Sequence, residues 1–108
     1  MTRAIVVVDM VRGFLEEGHP LYCGAKARAI IPTVQKLLEG ELKRGAKVFY
    51  PCDRHKPDDP EFKMFPPHCI EGTPEAELIP ELSRYPGEII PKERFDAFYG
   101  TPLEKKLK

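Results

Sequence analysis

The stretch Ala4-Ile5-Val6-Val7-Val8-Asp9 decides the fold of this chain. Its apolar residues follow one another without alternation, and an acid ends the run. Unbroken, largely β-branched hydrophobicity is typical of a strand that is buried on both faces, as in a parallel sheet covered by helices. We therefore predict an α/β domain in which Asp9 lies at the carboxyl end of the first strand.

The residues that follow supply the elements that such a sheet requires. Pro32 suits the first position of a helix, apolar residues follow it at helical spacing, and Gly45 suits the cap of that helix. Residues 46–50 have the character of a second strand, which Pro51 is expected to end. A strand, a helix and a strand in this order predict a right-handed βαβ unit.

The second half of the chain is rich in proline and harder to assign. Residues 51–91 hold 9 of the 12 prolines, and we expect an ordered loop packed by its own side chains. A short helix is predicted over residues 75–82 with Thr73 as its N-cap, a third strand over 87–90, and a final helix opening at Thr101. The sheet edge after the third strand would be open, so the sequence is typical of the front part of an α/β domain.

Composition excludes several classes of protein. The 108 residues allow a single domain over 1–108, and 17 basic against 17 acidic residues give no net charge. We therefore expect no nucleic-acid partner and no anionic membrane surface. No apolar run approaches the roughly 20 residues of a membrane span. Three cysteines do not indicate a disulfide framework, and a cytoplasmic protein is expected.

Three residues have the types and spacing of a catalytic metal site. Asp53 and His55 follow the second strand, and His68 comes after a loop. Two histidines and one carboxylate leave coordination positions open for water or substrate. The alternative is a pair of solvated loop histidines, since an isolated Asp-x-His is a weak signal.

Two charged residues at strand ends are candidates for proton chemistry. Asp9 lies where ligands bind in open α/β sheets, although it could also cap a nearby backbone amide. Lys92 follows the third strand, where it could pair with Asp9 or lie exposed. No phosphate-binding glycine loop, His-Glu-x-x-His motif or Gly-x-Ser-x-Gly elbow occurs, so kinase, nucleotide-binding and serine-hydrolase functions have no support.

Four segments, taken in order, resemble the isochorismatase-like cysteine hydrolases, and most closely their nicotinamidase (pyrazinamidase) branch. These segments are Val8-Asp9-Met10 with Gly13-Phe14, Asp53-Arg54-His55, Phe65-Pro66-Pro67-His68-Cys69 with Gly72-Thr73, and Lys92-Glu93-Arg94-Phe95-Asp96-Ala97-Phe98 with Thr101 and Leu103. The resemblance implies a three-layer α/β/α fold with a mostly parallel sheet. It also implies a catalytic triad of Asp, Lys and Cys.

The resemblance gives each candidate residue a role. Asp9 matches the general base, and Lys92 matches the lysine that holds neighbouring charges and helps to polarise the amide. Asp53, His55 and His68 match the metal ligands of the nicotinamidase branch, which relatives outside that branch commonly lack. The implied cofactor is a divalent ion, Zn²⁺ by ligand type, with Fe²⁺ or Mn²⁺ as alternatives.

The resemblance also implies a substrate. Phe14, Phe65 and Phe95 match aromatic positions that flank the substrate ring, and Phe65 replaces a more common tryptophan. The implied reaction is hydrolysis of nicotinamide to nicotinate and ammonia. Hydrolysis of another small amide is one alternative, and a non-catalytic metal- or ligand-binding module is another. The expected partner is a small-molecule amide, and a homo-oligomer is the expected assembly.

One part of the family pattern has no match in this chain. The nucleophilic cysteine of the family follows the lysine segment and a further strand, at the start of a helix, whereas this sequence stops at Lys108. Cys69 matches a different, non-nucleophilic cysteine of the family. We therefore expect that the 108 residues do not hydrolyse amides alone and require a complementing C-terminal segment with a strand and a cysteine.

Overall fold

The structure, a computed structural model, describes residues 2–108 and consists of short elements around one parallel sheet. The strands are β1 (Ala4–Val6), β2 (Lys47–Asp53) and β3 (Glu88–Lys92). The helices are α1 (Arg12–Leu15), α2 (Ala25–Arg28), α3 (Ile31–Lys43), α4 (Pro80–Ser83) and α5 (Leu103–Leu107). Two 3₁₀ helices, Pro60–Lys63 and Pro74–Ala76, lie in the proline-rich segment. Over residues 2–108, no helix has the length and apolar character needed to cross a membrane.

The sheet brings three chain segments to one edge. β1 and β3 both pair in parallel with the central strand β2, and the register sets Asp53 opposite Lys92. Asp9 continues the line of β1, where its N–H donates to the Pro51 carbonyl at 2.8 Å. Parallel strands end at the same side of a sheet, so Asp9, Asp53 and Lys92 meet there.

The two faces of the sheet are covered unequally. Val48, Tyr50 and Cys52 face the larger core, which receives the buried side chains of α1, α3 and α4. Phe49 points the other way and packs with Ile90 and with Leu103 of α5. Helices therefore lie on both sides of a parallel sheet, and the predicted α/β fold is confirmed.

Two local predictions were wrong. β2 does not end at Pro51 but continues to Asp53, because the Pro51 carbonyl still accepts from Asp9 and the strand stays paired. The predicted helix over 75–82 is two short helices instead, because Pro80 favours an extended conformation at Ile79. The hydroxyl of Thr73 caps no helix and donates to the Ile70 carbonyl at 2.6 Å.

The two outer strands differ in how well they suit further pairing. Val7 and Asp9 donate to β2, so the backbone groups of Val6 and Val8 point away from the sheet. Their side chains are 39% and 47% exposed. On β3, the Lys92 carbonyl faces β2, which leaves Pro91 on the outer side. The sequence predicted the open edge after the third strand, but proline protects that edge, and the apolar edge lies at β1.

A pair of glycines tests the packing of β2. A Cβ atom at Gly87 would lie 2.5 Å from a ring carbon of Tyr50 and 2.9 Å from the Val48 carbonyl oxygen, so Gly87→Ala forces β3 and β2 apart. We expect a loss of about 1–3 kcal/mol in the free energy of unfolding, measured with urea. Gly40→Ala is the control: it meets no atom within 4 Å and should gain about 0.5–1 kcal/mol as a better helix former. Equal stability of the two variants would contradict this packing.

Candidate metal centre and acid–base site

Lys92 connects the two carboxylates at the strand ends. Its Nζ donates to Asp53 Oδ1 at 2.6 Å and lies 3.1 Å from Asp9 Oδ2. The ammonium also donates to the Arg94 carbonyl at 2.9 Å, and Lys92 is only 1% exposed. Asp9 Oδ1 accepts from the backbone N–H of Asp53 at 3.0 Å. The Asp9 carboxylate is therefore held at both oxygens: Oδ1 by the backbone of β2 and Oδ2 by the ammonium of Lys92.

The surroundings of Asp9 suit a proton acceptor. Burial raises the pKa of Asp9 above its ordinary value, the charge of Asp53 adds to this, and Lys92 opposes it. For Lys92, burial alone would lower the pKa, but the hydrogen bond to Asp53 and the charge of Asp9 outweigh it, so its pKa is raised. The lysine therefore stays charged while Asp9 is more basic than an exposed aspartate.

A second cluster shares Asp53 with this pair. Ligand atoms of four side chains lie within 4.8 Å of one another, and these residues are Asp53, His55, Glu61 and His68. Glu61 Oε2 lies 3.2 Å from His55 Nε2 and 3.3 Å from His68 Nε2. Asp53 Oδ2 lies 3.3 Å and 3.7 Å from the same two nitrogens. The three predicted ligands are brought together, and Glu61 adds a fourth.

The orientation of the two histidine rings makes this cluster fit a cation. His55 Nδ1 lies 2.9 Å from Asp59 Oδ2 and His68 Nδ1 lies 2.8 Å from the Pro66 carbonyl, so each Nδ1 carries a proton. Both Nε2 atoms then face the carboxylates of Asp53 and Glu61. Glu61 Oε2 is buried without a hydrogen-bond partner. Two nitrogens and two carboxylate oxygens form a donor set that suits Zn²⁺ and accepts Fe²⁺ or Mn²⁺.

Sequence reasoning missed Glu61 because its loop shows no periodicity. The residue lies on the 3₁₀ helix Pro60–Lys63, which Asp59 opens by accepting from the Glu61 N–H at 2.8 Å. Asp followed by Pro is a recognised start of a helix, with the acid as N-cap and proline at the first position. That signal, applied to Asp59-Pro60, would have placed Glu61 on a short helix in the loop between the two histidines.

The predicted aromatic residues surround a small cavity beside both clusters. This cavity of about 150 Å³ is lined by Asp9, Phe14, Leu21, Asp53, Glu61, Phe65, His68 and Phe95. The Phe65 and Phe95 rings meet edge to face at 5.9 Å, and Phe95 is 75% exposed at the rim. Phe62, which sequence reasoning did not select, packs its ring 5.5 Å from both metal-cluster histidines.

The buried cysteines do not offer a thiolate. Cys69 is fully buried, and burial together with the charge of Asp53 raises its pKa strongly. Burial and the charge of Asp9 raise the pKa of Cys52 to about 12. A thiol nucleophile needs the opposite environment, exposed and electropositive. Neither of these cysteines lines the cavity that contains Asp9.

The class of protein follows from comparison with known families. The Isochorismatase domain family matches residues 3–108, and the chain belongs to this family. Among curated relatives, the isochorismatase family protein PncA of Bacillus subtilis is 31% identical over all of this chain and 65% of its own length. Nicotinamidase 1 of Arabidopsis thaliana is 37% identical over 72% of this chain and 33% of its own length.

Solved structures of amidases have the same fold as this chain. Nicotinamidase PncA from Bacillus subtilis superposes with a TM-score of 0.87 at 34% identity, over 99% of this chain and 64% of that one. N-carbamoylsarcosine amidase from Thermoplasma acidophilum gives 0.87 at 33%, over 99% and 61%. Pyrazinamidase of Pyrococcus horikoshii in complex with zinc gives 0.85 at 31%, over 99% and 64%. The chain therefore spans less than two thirds of the length of these relatives.

Replacing the buried lysine tests the charge network. Lys92→Met leaves the carboxylates of Asp9 and Asp53 near each other without a cation, and we expect a loss of about 3–5 kcal/mol in the free energy of unfolding at neutral pH. The loss should shrink as pH falls, because protonation of Asp9 relieves the repulsion. Urea unfolding at several pH values measures both effects.

The matched control for this variant is Lys105→Met on the exposed side of α5. We expect its stability to stay within about 0.5 kcal/mol of the starting chain, as for most surface substitutions. A Lys92→Met variant as stable as this control would contradict the network.

Proposed function

We propose that this chain carries the metal centre and the acid–base residues of a nicotinamidase-like amidohydrolase. The observation that carries the proposal is the cavity in which Asp9, three of the four metal-cluster residues and three phenylalanines meet. The reaction is hydrolysis of nicotinamide to nicotinate and ammonia. Relatives named as nicotinamidases, and a zinc complex of a pyrazinamidase, support this substrate class.

The residues of the chain divide the work between binding and proton transfer. Phe14, Phe65 and Phe95 hold a flat ring by its faces and edges. Asp53, His55, Glu61 and His68 would hold a divalent ion, which would act as a Lewis acid for a ring nitrogen. Asp9 accepts a proton from the attacking thiol and gives it to the amide nitrogen, which departs as ammonia. It then accepts a proton from the water that cleaves the thioester and returns that proton to the departing thiolate. Lys92 keeps Asp9 in place and stays charged throughout.

The attacking thiol comes from a complementing C-terminal segment. Neither buried cysteine of this chain is an accessible thiolate, and Cys23 does not line the cavity that contains Asp9. As the family resemblance implies, we place the nucleophile at the start of a helix in the complementing segment. The β1 edge is where we place the strand of that segment. Val6 and Val8 present unpaired backbone groups and exposed apolar side chains there, whereas Pro91 blocks the outer side of β3.

A second substrate class has a specific observation in its favour. The N-carbamoylsarcosine amidase superposes with the same TM-score as the Bacillus subtilis nicotinamidase. The metal cluster favours nicotinamide, because an ion there that takes a fifth ligand would give a pyridine nitrogen a partner. The kcat/KM for nicotinamide and for N-carbamoylsarcosine, measured with the same active protein, decides between the two amides.

The metal centre is tested by stoichiometry and by substitution. We expect one Zn²⁺ per chain after reconstitution of chelator-treated protein, measured by elemental analysis, and tight binding in a competition titration. His55→Ala or His68→Ala removes one of two nitrogen ligands and should weaken Zn²⁺ binding at least about 100-fold.

His19→Ala serves as the control because the third histidine lies outside the cluster. Its Zn²⁺ affinity should equal that of the unchanged chain. Less than a tenth of an equivalent of any transition metal in the reconstituted chain would refute the metal centre.

Catalysis is tested by ammonia release from nicotinamide. We expect no turnover by the 108-residue chain alone. A chimera that fuses it to the part of the Bacillus subtilis relative beyond the match should be active, because that part should supply the strand and the cysteine that the family resemblance implies. In that chimera Asp9→Asn should lower kcat by about 10²–10⁴-fold, the usual contribution of a general base.

Two variants of the chimera serve as controls. Cys69→Ala should leave kcat unchanged, since this thiol is buried away from the cavity. Ile89→Lys on the protected strand β3 should lower ammonia release less than Val6→Lys, because we place the complementing strand at β1. Turnover by the chain alone at about 1 s⁻¹ or faster, abolished by Cys69→Ala, would refute the proposed nucleophile.

A further inference from the structure

Asp59 touches two members of the metal cluster without belonging to it. The residue is only 6% exposed. Its Oδ2 accepts from His55 Nδ1–H at 2.9 Å, on the side of the ring away from the cluster. Its Oδ1 accepts from the backbone N–H of Glu61 at 2.8 Å and opens the 3₁₀ helix that carries Glu61. One buried carboxylate therefore contacts a nitrogen ligand and the backbone of an oxygen ligand.

Each of these contacts has a consequence for metal binding. A carboxylate on Nδ1–H fixes the tautomer of His55, so that the Nε2 lone pair points into the cluster, and it makes that nitrogen a stronger donor. The cap on Glu61 fixes the first turn of a helix only four residues long, which otherwise has little stability of its own. Losing Asp59 would free the His55 ring and the Glu61 backbone together.

Arg94, in the segment that follows the third strand, completes this arrangement. Its Nη1 lies 3.3 Å from both carboxylate oxygens of Asp59. The carbonyl of the same residue accepts from Lys92 Nζ at 2.9 Å. The segment after β3 therefore holds Asp59 with a side chain and Lys92 with its backbone, which keeps the buried carboxylate paired with a cation.

We propose that Asp59 is the positioning residue of the metal centre, acting through the Nδ1–H of His55 and the backbone of Glu61, with Arg94 as its counter-charge. The inference rests on the proposed function, because it presupposes that the cluster binds a divalent ion. It adds a residue that coordinates no metal and contacts no substrate but fixes the position of two ligands and increases the donor strength of one, His55.

The experiment measures metal affinity and ligand geometry instead of turnover. Asp59→Ala and Asp59→Asn are compared with Asp58→Asn, a matched control on the exposed neighbouring acid. Zn²⁺ affinity is measured by competition with a chromogenic chelator, and the coordination geometry is followed by the visible spectrum of bound Co²⁺. Far-UV circular dichroism establishes that each metal-free variant is folded.

We expect Asp59→Ala to weaken Zn²⁺ binding by about 10- to 100-fold and to change the Co²⁺ spectrum. Asp59→Asn keeps one acceptor oxygen, which can serve His55 or Glu61 but not both, so its affinity should lie between those of Asp59→Ala and the unchanged chain. Asp58→Asn should match the unchanged chain in both measurements. A purely structural role would lower the stability of Asp59→Ala without changing the Co²⁺ spectrum of its folded form.

Two outcomes would overturn the inference, and they are distinguishable. If the unchanged chain binds Zn²⁺ tightly and Asp59→Ala binds within about threefold of it with the same Co²⁺ spectrum, Asp59 does not position the ligands while the metal centre stands. If the unchanged chain itself binds neither metal, the proposed metal centre fails and the role of Asp59 fails with it.

Discussion

The ammonium of Lys92, enclosed between Asp9 and Asp53, is the interaction on which the rest of the site depends. It joins the carboxyl ends of all three strands, because each strand contributes or precedes one of these residues. Two carboxylates this close would repel each other in a buried environment, so the lysine makes their coexistence possible. The pairing of β2 with β3 sets Asp53 opposite Lys92, so a shift of this register would separate the two charges.

Asp53 extends this network into the metal cluster. One of its oxygens accepts from Lys92, and the other faces the Nε2 atoms of His55 and His68. The Asp53 carboxylate therefore contacts the ammonium of Lys92 with one oxygen and forms part of the metal cluster with the other. Asp9 contacts the same lysine, so the proposed proton acceptor and the proposed metal centre are linked through the carboxylate of Asp53 and Lys92.

The sequence predicted the parts of the site that depend on strand ends. Unbroken hydrophobicity before Asp9 and the residues flanking Lys92 place both at the carboxyl edge of a parallel sheet, whatever the loops do. Local rules failed where long-range pairing decides the outcome: Pro51 remains within β2 because its carbonyl is paired across the sheet. Glu61 was missed because only the folded loop, closed by Asp59, brings it to the two histidines.

The exposed edge of β1 has a consequence for handling the chain in solution. An apolar strand whose backbone groups point outward is a template for any other extended segment, including the same strand of a second molecule. Pairing of β1 with β1 of a second copy occupies the apolar edge of both molecules, and Pro91 protects the opposite edge of each sheet, so this contact ends at a dimer. Self-association of these 108 residues would therefore come from the exposed edge of β1. Charged substitutions at Val6 or Val8 would be a rational way to keep the chain monomeric.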